Sequence, residues 1–153
     1  MKKLKVYIDT SVIGGCFDEE FSKWSNLLFT EFKQGKLIAV VSDITLDELN
    51  NAPENVRRII ENIPESNLVK LSIDNESEQL AQIYIKENAI TKKYADDARH
   101  IAIATVNNLD VLVSWNFKHI VNINRIHQYN AVNIRHKYKA IEIRTPREVV
   151  DEN

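Results

Sequence analysis

An α/β domain built on a central, mostly parallel sheet is what three features of the sequence predict. Short β-branched runs, apolar from end to end, occur at LKVYI (4–8), LIAVV (37–41) and VLVS (111–114). Strands buried on both faces have this composition. Longer stretches of helical spacing lie between them: Phe21, Trp24, Leu28 and Phe32, then Leu80, Ile83 and Tyr84, then Ala98, Ile101, Ala102 and Thr105. The alternation is the third feature, because parallel strands need a crossover between them, usually a helix.

Two further strands complete the expected sheet, AIEI (140–143) and the less regular NLVKLSI (67–73). Pro53, Pro64 and Pro146 fall at element boundaries, and no low-complexity linker divides the chain. At 153 residues the economical reading is one domain over 1–153, with a basic C-terminal extension at about 121–153.

Composition narrows the class. Hydrophobic residues make up 44% and charged ones 27%, the balance of a soluble globular protein. The start, MKKLKVYID, reaches an aspartate before any apolar stretch adequate for a signal peptide, and no run has transmembrane length. The lone Cys16 excludes an internal disulfide, reads as a small packing residue and points to a reducing, cytoplasmic setting. The net charge of −2 argues against binding nucleic acid by bulk charge. That average conceals a segment from Lys118 to Arg147 carrying seven Lys/Arg and one acid, Glu142, against −8 for everything else. The split describes either a basic face beside an acidic centre or an ordinary solvated surface.

In a parallel sheet, ligands gather outside the carboxyl ends of the strands. Asp9 lies at such an end, as do SDITLDEL (42–49) and Ser114-Trp115-Asn116. A fourth polar cluster, Asp96-Asp97 in KYADDARHIAIATV (93–106), opens a helical stretch that puts Asp97 and His100 on one side. Each has an ordinary explanation. Asp9 can serve an Asx-turn, Glu48 can close a capping box with Thr45, and either aspartate of the pair can complement a helix dipole. Asn116 can cap a turn, and His100 can be a packed, hydrogen-bonded histidine. Together they resist that reading, since carboxylates converging on one edge repel unless a cation is shared. Oxygen donors without thiolates or paired histidines suit Mg²⁺ or Mn²⁺ and metal-assisted phosphoryl chemistry. The three glycines, Gly14, Gly15 and Gly35, assemble neither a P-loop nor a dinucleotide fingerprint. Ser11 stands where a haloacid dehalogenase needs a second acid and an aspartic protease needs glycine.

In order and context these clusters resemble the PIN-domain ribonuclease family, which includes VapC-like toxins of toxin–antitoxin pairs. YIDTSVI (7–13) is similar to that family's first strand and acid, and SDITLDEL to its second motif with the acid at Glu48. DDARHIAIA (96–104) resembles the third, aligning its acid with Asp97, and LVSWNFKHI (112–120) the fourth, with Asn116 in the acid position. The match runs from Lys5 to Ile120. It implies a PIN-like three-layer α/β/α sandwich and Mg²⁺- or Mn²⁺-dependent cleavage of single-stranded RNA, leaving a 5′-phosphate and a 3′-hydroxyl. Asp9, Glu48 and Asp97 would hold the metal, and Asn116 would offer a neutral carbonyl or position a water. Ser11 would orient the acids, with Asp96 a secondary candidate. An inhibitory antitoxin protein and dimerisation are also implied. The competing reading is a catalytically silent PIN-like module that binds RNA or a protein. The tail beyond the match carries Tyr129, Tyr138, His127 and His136 among its basic residues. Single-stranded RNA binding would use that mixture; an extra packed helix or strand is the alternative.

Overall fold

The computed structural model describes residues 2–151; Met1, Glu152 and Asn153 of the expected 1–153 domain lie outside them. Five strands form one wholly parallel sheet: β1 (Lys5–Ile8), β2 (Ile38–Ser42), β3 (Leu68–Leu71), β4 (Val111–Val113) and β5 (Ile143–Arg144). Their spatial order is β3-β2-β1-β4-β5. The chain therefore starts in the middle, winds outward through β2 and β3, then returns across β1 to lay down β4 and β5. The reversal puts a topological switch point between β1 and β4, where a crevice opens at the carboxyl ends of the strands. Asp9 follows β1 and Ser114 follows β4, so the register Ile8↔Val113 delivers both residues to that crevice.

Strand alternation sorts the core into two halves. Val6 and Ile8, Ala39 and Val41, and Val111 and Val113 face one side. They pack there against α1 (Thr10–Gly14), α2 (Ser22–Gln34), α3 (Asp43–Leu49), α4 (Glu54–Glu61) and α8 (Pro146–Val149) through Val12, Leu28, Phe32, Leu49, Ile60 and Val149. Tyr7, Val40 and Leu112 face the other, against α5 (Asn75–Lys86), α6 (Ala95–Val106) and α7 (Ile123–Arg135). The result is the expected three-layer α/β/α sandwich. No helix among the described residues is long and apolar enough to cross a membrane.

Two glycines have physical reasons. Gly35 ends α2 at φ 75°, the left-handed conformation a helix C-terminus commonly adopts. Gly15 permits a close approach: a Cβ there would lie 2.7 Å from both Ser25 Oγ and Trp115 Nε1. Gly14 meets nothing within 4 Å, so of the pair only Gly15 is sterically required. Cys16 beside it is buried, and burial raises its thiol pKa to about 11, in keeping with a packing role.

The C-terminal third is an integral layer. Helix α7 buries Tyr129 and Val132 and packs on α5, and β5 extends the sheet at Ile143–Arg144, later than the AIEI run suggested. Tyr129 is fully buried, with its hydroxyl donating to the His119 carbonyl at 2.6 Å, so it is unavailable for stacking on bases. Tyr138 donates to Glu76, and Arg135 and His136 both engage Glu87. Much of the basic tail is thus stitched to the acidic helix α5, and the packed-helix reading describes it.

Gly15→Ala should destabilise the fold by about 1–3 kcal/mol, the usual cost of forcing extra volume into a filled core. Chemical denaturation of the variant, with Gly14→Ala as the tolerated control, measures this.

Candidate active site

Asp9 is the N-cap of α1, with Oδ1 accepting from Val12 N at 3.3 Å, and only 4% of its surface is exposed. Both of its oxygens are also held by serines. Ser11 Oγ donates to Oδ1 and Ser114 Oγ donates to Oδ2, each at 2.6 Å. Each serine in turn accepts a backbone N–H at 2.9 Å, Trp115 N on Ser11 and Asn116 N on Ser114. A hydroxyl that accepts from an amide has its one proton to give elsewhere, so both protons point at the carboxylate. Burial nevertheless pushes the Asp9 carboxyl above its ordinary range, against His100, Ser11, Ser114 and Val12, which pull it down.

Asp97 enters from the first turn of α6. Burial, with the charges of Asp9 and Glu48 adding to it, raises its pKa to about 6 against the opposing pull of His100 and Asn116. The three carboxylates sense one another, as converging acids should. Asp96 does not join them: it is exposed and paired with Arg99 at 2.6 Å, on the outer side of the helix with Glu78. One residue along a helix turns a side chain by about 100°, and here that step gives Asp97 to Asn116 and Asp96 to Arg99, although both border one open pocket with Lys93 and Tyr94.

Glu48 comes from α3, where Thr45 is buried with its hydroxyl toward the Ile8 carbonyl at 3.5 Å. No capping box forms, because Thr45 lies inside the helix. Glu48 Oε1 instead accepts from Thr10 Oγ1 at 3.0 Å and lies 2.7 Å from His100 Nε2. Beyond His100 the contacts continue through Tyr7 Oη, 2.6 Å from Nδ1, to Ser42 Oγ at 2.7 Å. Burial opposes a charge on His100, but Tyr7, Glu48 and Asp9 outweigh it and lift the pKa to about 10. In its protonated form the ring has a donor for both partners, Glu48 through Nε2 and Tyr7 through Nδ1. Half-burial pushes Glu48 up, yet the His100 bond and charge, with Thr10, bring it below its ordinary value.

Asn116 Nδ2 donates to Asp97 Oδ2 at 3.3 Å, while Oδ1 accepts from Lys118 N and His119 N at 3.2 and 3.0 Å. Its carbonyl therefore caps the following turn, and the residue meets the site as a donor. This is the turn-capping role that its position after β4 allows. Of the two roles the resemblance implies, a neutral carbonyl or a water-positioning group, the second is the one its amide can serve. The turn is anchored just ahead of α6 by His119, whose ring centroid lies 3.7 Å from that of Tyr94, the residue preceding the helix. Burial and the cations Lys118 and Arg125 lower the His119 pKa, and its Nδ1 is the one unpartnered buried side-chain nitrogen or oxygen among the described residues.

The structure thus gathers Asp9, Ser11, Glu48, Asp97 and Asn116 around one crevice and leaves Asp96 outside. Sequence reasoning gave no role to Ser114, Tyr7 or Thr10. The Ser-x-Asn spacing at the end of β4 held the signal for Ser114; nothing local distinguishes Tyr7 from an ordinary core residue.

Neither a family model nor a curated protein matches the chain at sequence level. Solved structures do match at the level of the fold. The VapC20 toxin of Mycobacterium tuberculosis, a sarcin-ricin loop cleaving toxin, superposes with a TM-score of 0.57 at 11% identity, covering 74% of this chain and 92% of that one. VapBC2 from Rickettsia felis, bound to a DNA fragment from its promoter, gives 0.54 at 16% identity, covering 75% and 90%. The PIN-like three-layer fold expected from the sequence is the fold of these toxin structures.

The raised pKa of Asp97 has a stability consequence of definite sign. Between the ordinary value of 3.8 and about 6, the folded chain holds a proton that the unfolded chain releases. The resulting stabilisation is complete below the lower value and lost as pH rises through the upper one. Asp97→Asn should therefore be more stable than the parent at pH 7 by about 1 kcal/mol, solvent screening removing part of the full effect. The advantage should fade toward pH 4 in paired denaturation curves.

Proposed function

We propose that this protein is a divalent-metal-dependent endoribonuclease acting on single-stranded RNA, the toxin half of a toxin–antitoxin pair. The observation that carries the reading is the convergence of Asp9, Glu48 and Asp97, from three separate elements, on the crevice between β1 and β4. The fold shared with a toxin that cleaves the sarcin-ricin loop supports the substrate class, and the VapBC2 assembly supports an inhibitory protein partner.

The donor set is entirely oxygen, which suits Mg²⁺ or Mn²⁺. Among the described residues no three His, Cys, Asp or Glu are grouped to hold an ion as they stand, and Glu48 is engaged with His100. Asp9 and Asp97 are the pair that fits: Mg²⁺ is commonly held by one or two carboxylates, water and substrate phosphate supplying the rest. When bound, the ion would supply a Lewis acid that neutralises phosphate charge and activates water. The chain's own part is preorganisation. Ser11 and Ser114 fix the Asp9 carboxylate, and Oδ2 accepts from Ser114 alone among the described residues, so it keeps lone-pair capacity. Asn116 fixes the Asp97 Oδ2 edge. His100 and Thr10 hold Glu48 by Oε1, leaving Oε2 to orient the attacking water. In-line attack at phosphorus then leaves a 5′-phosphate and a 3′-hydroxyl.

Labelled single-stranded RNA incubated with Mn²⁺, with Mg²⁺ and with EDTA tests this. Cleavage should need the metal and be lost in both Asp9→Asn and Asp97→Asn. RNA binding with no cleavage in either metal would instead identify a silent binding module.

A further inference from the structure

Beside the acids lies a groove of about 300 Å³, lined by Phe21, Trp24, Trp115, Phe117, Thr145 and Arg147, with Glu20 on its rim. It is continuous with the crevice through the backbone. Trp115 N donates to Ser11 Oγ, and Phe117 follows Asn116, whose amide meets Asp97. One wall is aromatic: Phe21 stacks on Trp115 at 4.2 Å, with Phe117 6.1 Å from Phe21. Phe117 keeps 49% of its surface exposed, so part of its ring is free to receive another.

Arg147 supplies the groove's cation. The Arg147 guanidinium lies over the Trp24 ring at 4.8 Å and makes no ion pair among the described residues. Arg144, three residues earlier, is by contrast paired with Glu142 and Glu148. Among the lining residues Arg147 is the one cation and Glu20 the one acid; Lys23 lies over Trp24 at 4.5 Å, and Lys118 follows Phe117 in sequence. An exposed ring beside a guanidinium without an ion pair matches a base and its phosphate, whereas an apolar peptide would leave the Arg147 charge facing nothing. The volume stands at the low end of small-ligand sites, roughly 300–1,000 Å³, enough for one flat ring system.

From this juxtaposition we propose that the groove seats one base of the single-stranded RNA beside the scissile phosphate, stacked on Phe117, with Arg147 on a flanking phosphate. The inference takes the strand's identity from the ribonuclease reading, and it makes the basic C-terminal segment a contributor to substrate binding through Arg147 alone.

The chain's two tryptophans, Trp24 and Trp115, both line the groove, so intrinsic fluorescence reports its occupancy without any cleavage. A short single-stranded RNA titrated in EDTA should quench it saturably. Phe117→Ala and Arg147→Ala should each weaken affinity about tenfold, with Phe117→Tyr retaining the parent value. Absence of quenching would overturn the proposal, as would equal quenching by inorganic polyphosphate or an affinity indifferent to Phe117→Ala. Cleavage without quenching removes the groove and keeps the ribonuclease; quenching without cleavage in any metal does the reverse.

Discussion

A carboxylate with 4% of its surface in water has to be compensated, and the compensation of Asp9 organises the centre of this molecule. Its partners come from α1 and from the end of β4, and they are themselves fixed by Trp115 N and Asn116 N. The turn after β4 is thereby tied to the helix after β1. With that turn come the Asn116 amide on Asp97 and the Phe117 ring on the groove. Removing Ser114 would take from Asp9 Oδ2 its donor and free the Asn116 amide, a loss of about 1.5–3 kcal/mol for a bond to a charged group, whereas removing Ser11 would free the Trp115 amide and leave Oδ1 to Val12 N. The β1–β4 junction is consequently also where the sheet's two halves are locked in register.

The electrostatics follow from the same geometry. Burial raises the Asp97 pKa first and the charges of Asp9 and Glu48 add to it, while His100, whose pKa is lifted to about 10, pulls the other way. That cation is committed to Glu48 and, through Tyr7, to Ser42. It offsets part of the negative charge and orients one acid, while the two aspartates hold neutral donors, Ser11 and Ser114 on Asp9 and Asn116 on Asp97, and no salt bridge among the described residues. A site that carries such residual repulsion trades stability for function, a common arrangement where charged ligands are to be held.

The fold was largely legible because apolar runs such as LIAVV and the α6 periodicity are signals of burial, and burial decides layers. Helix α7 was obscure for the same reason: Ile123 and Ile134 are 70% and 64% exposed, while the polar Asn133 is fully buried. Asn133 is buried because it accepts from Tyr84, a partner 49 residues away that no local pattern reveals. At the site, the positions Asp9, Glu48, Asp97 and Asn116 were legible from strand ends and motif order. Their bonding was not. Glu48 reads locally as a capping residue until α6 brings His100 to it, whereas Asn116 does cap its turn as its position suggests, and only its amide bond to Asp97, 19 residues away, was hidden. The choice of Asp97 over Asp96 rested on motif alignment, and helix rotation supplies its physical reason.

The sheet order fixes one more property. Its two borders are β3, four residues long with Lys70 exposed at its third position, and β5, only two residues long. Short, lysine-bearing borders are poor templates for a foreign strand, which is how soluble sheets resist fibrous association. Any contact this protein makes with another folded chain must then be built from helix faces and loops rather than by strand extension, and the sheet remains a closed interior on which those surfaces are mounted.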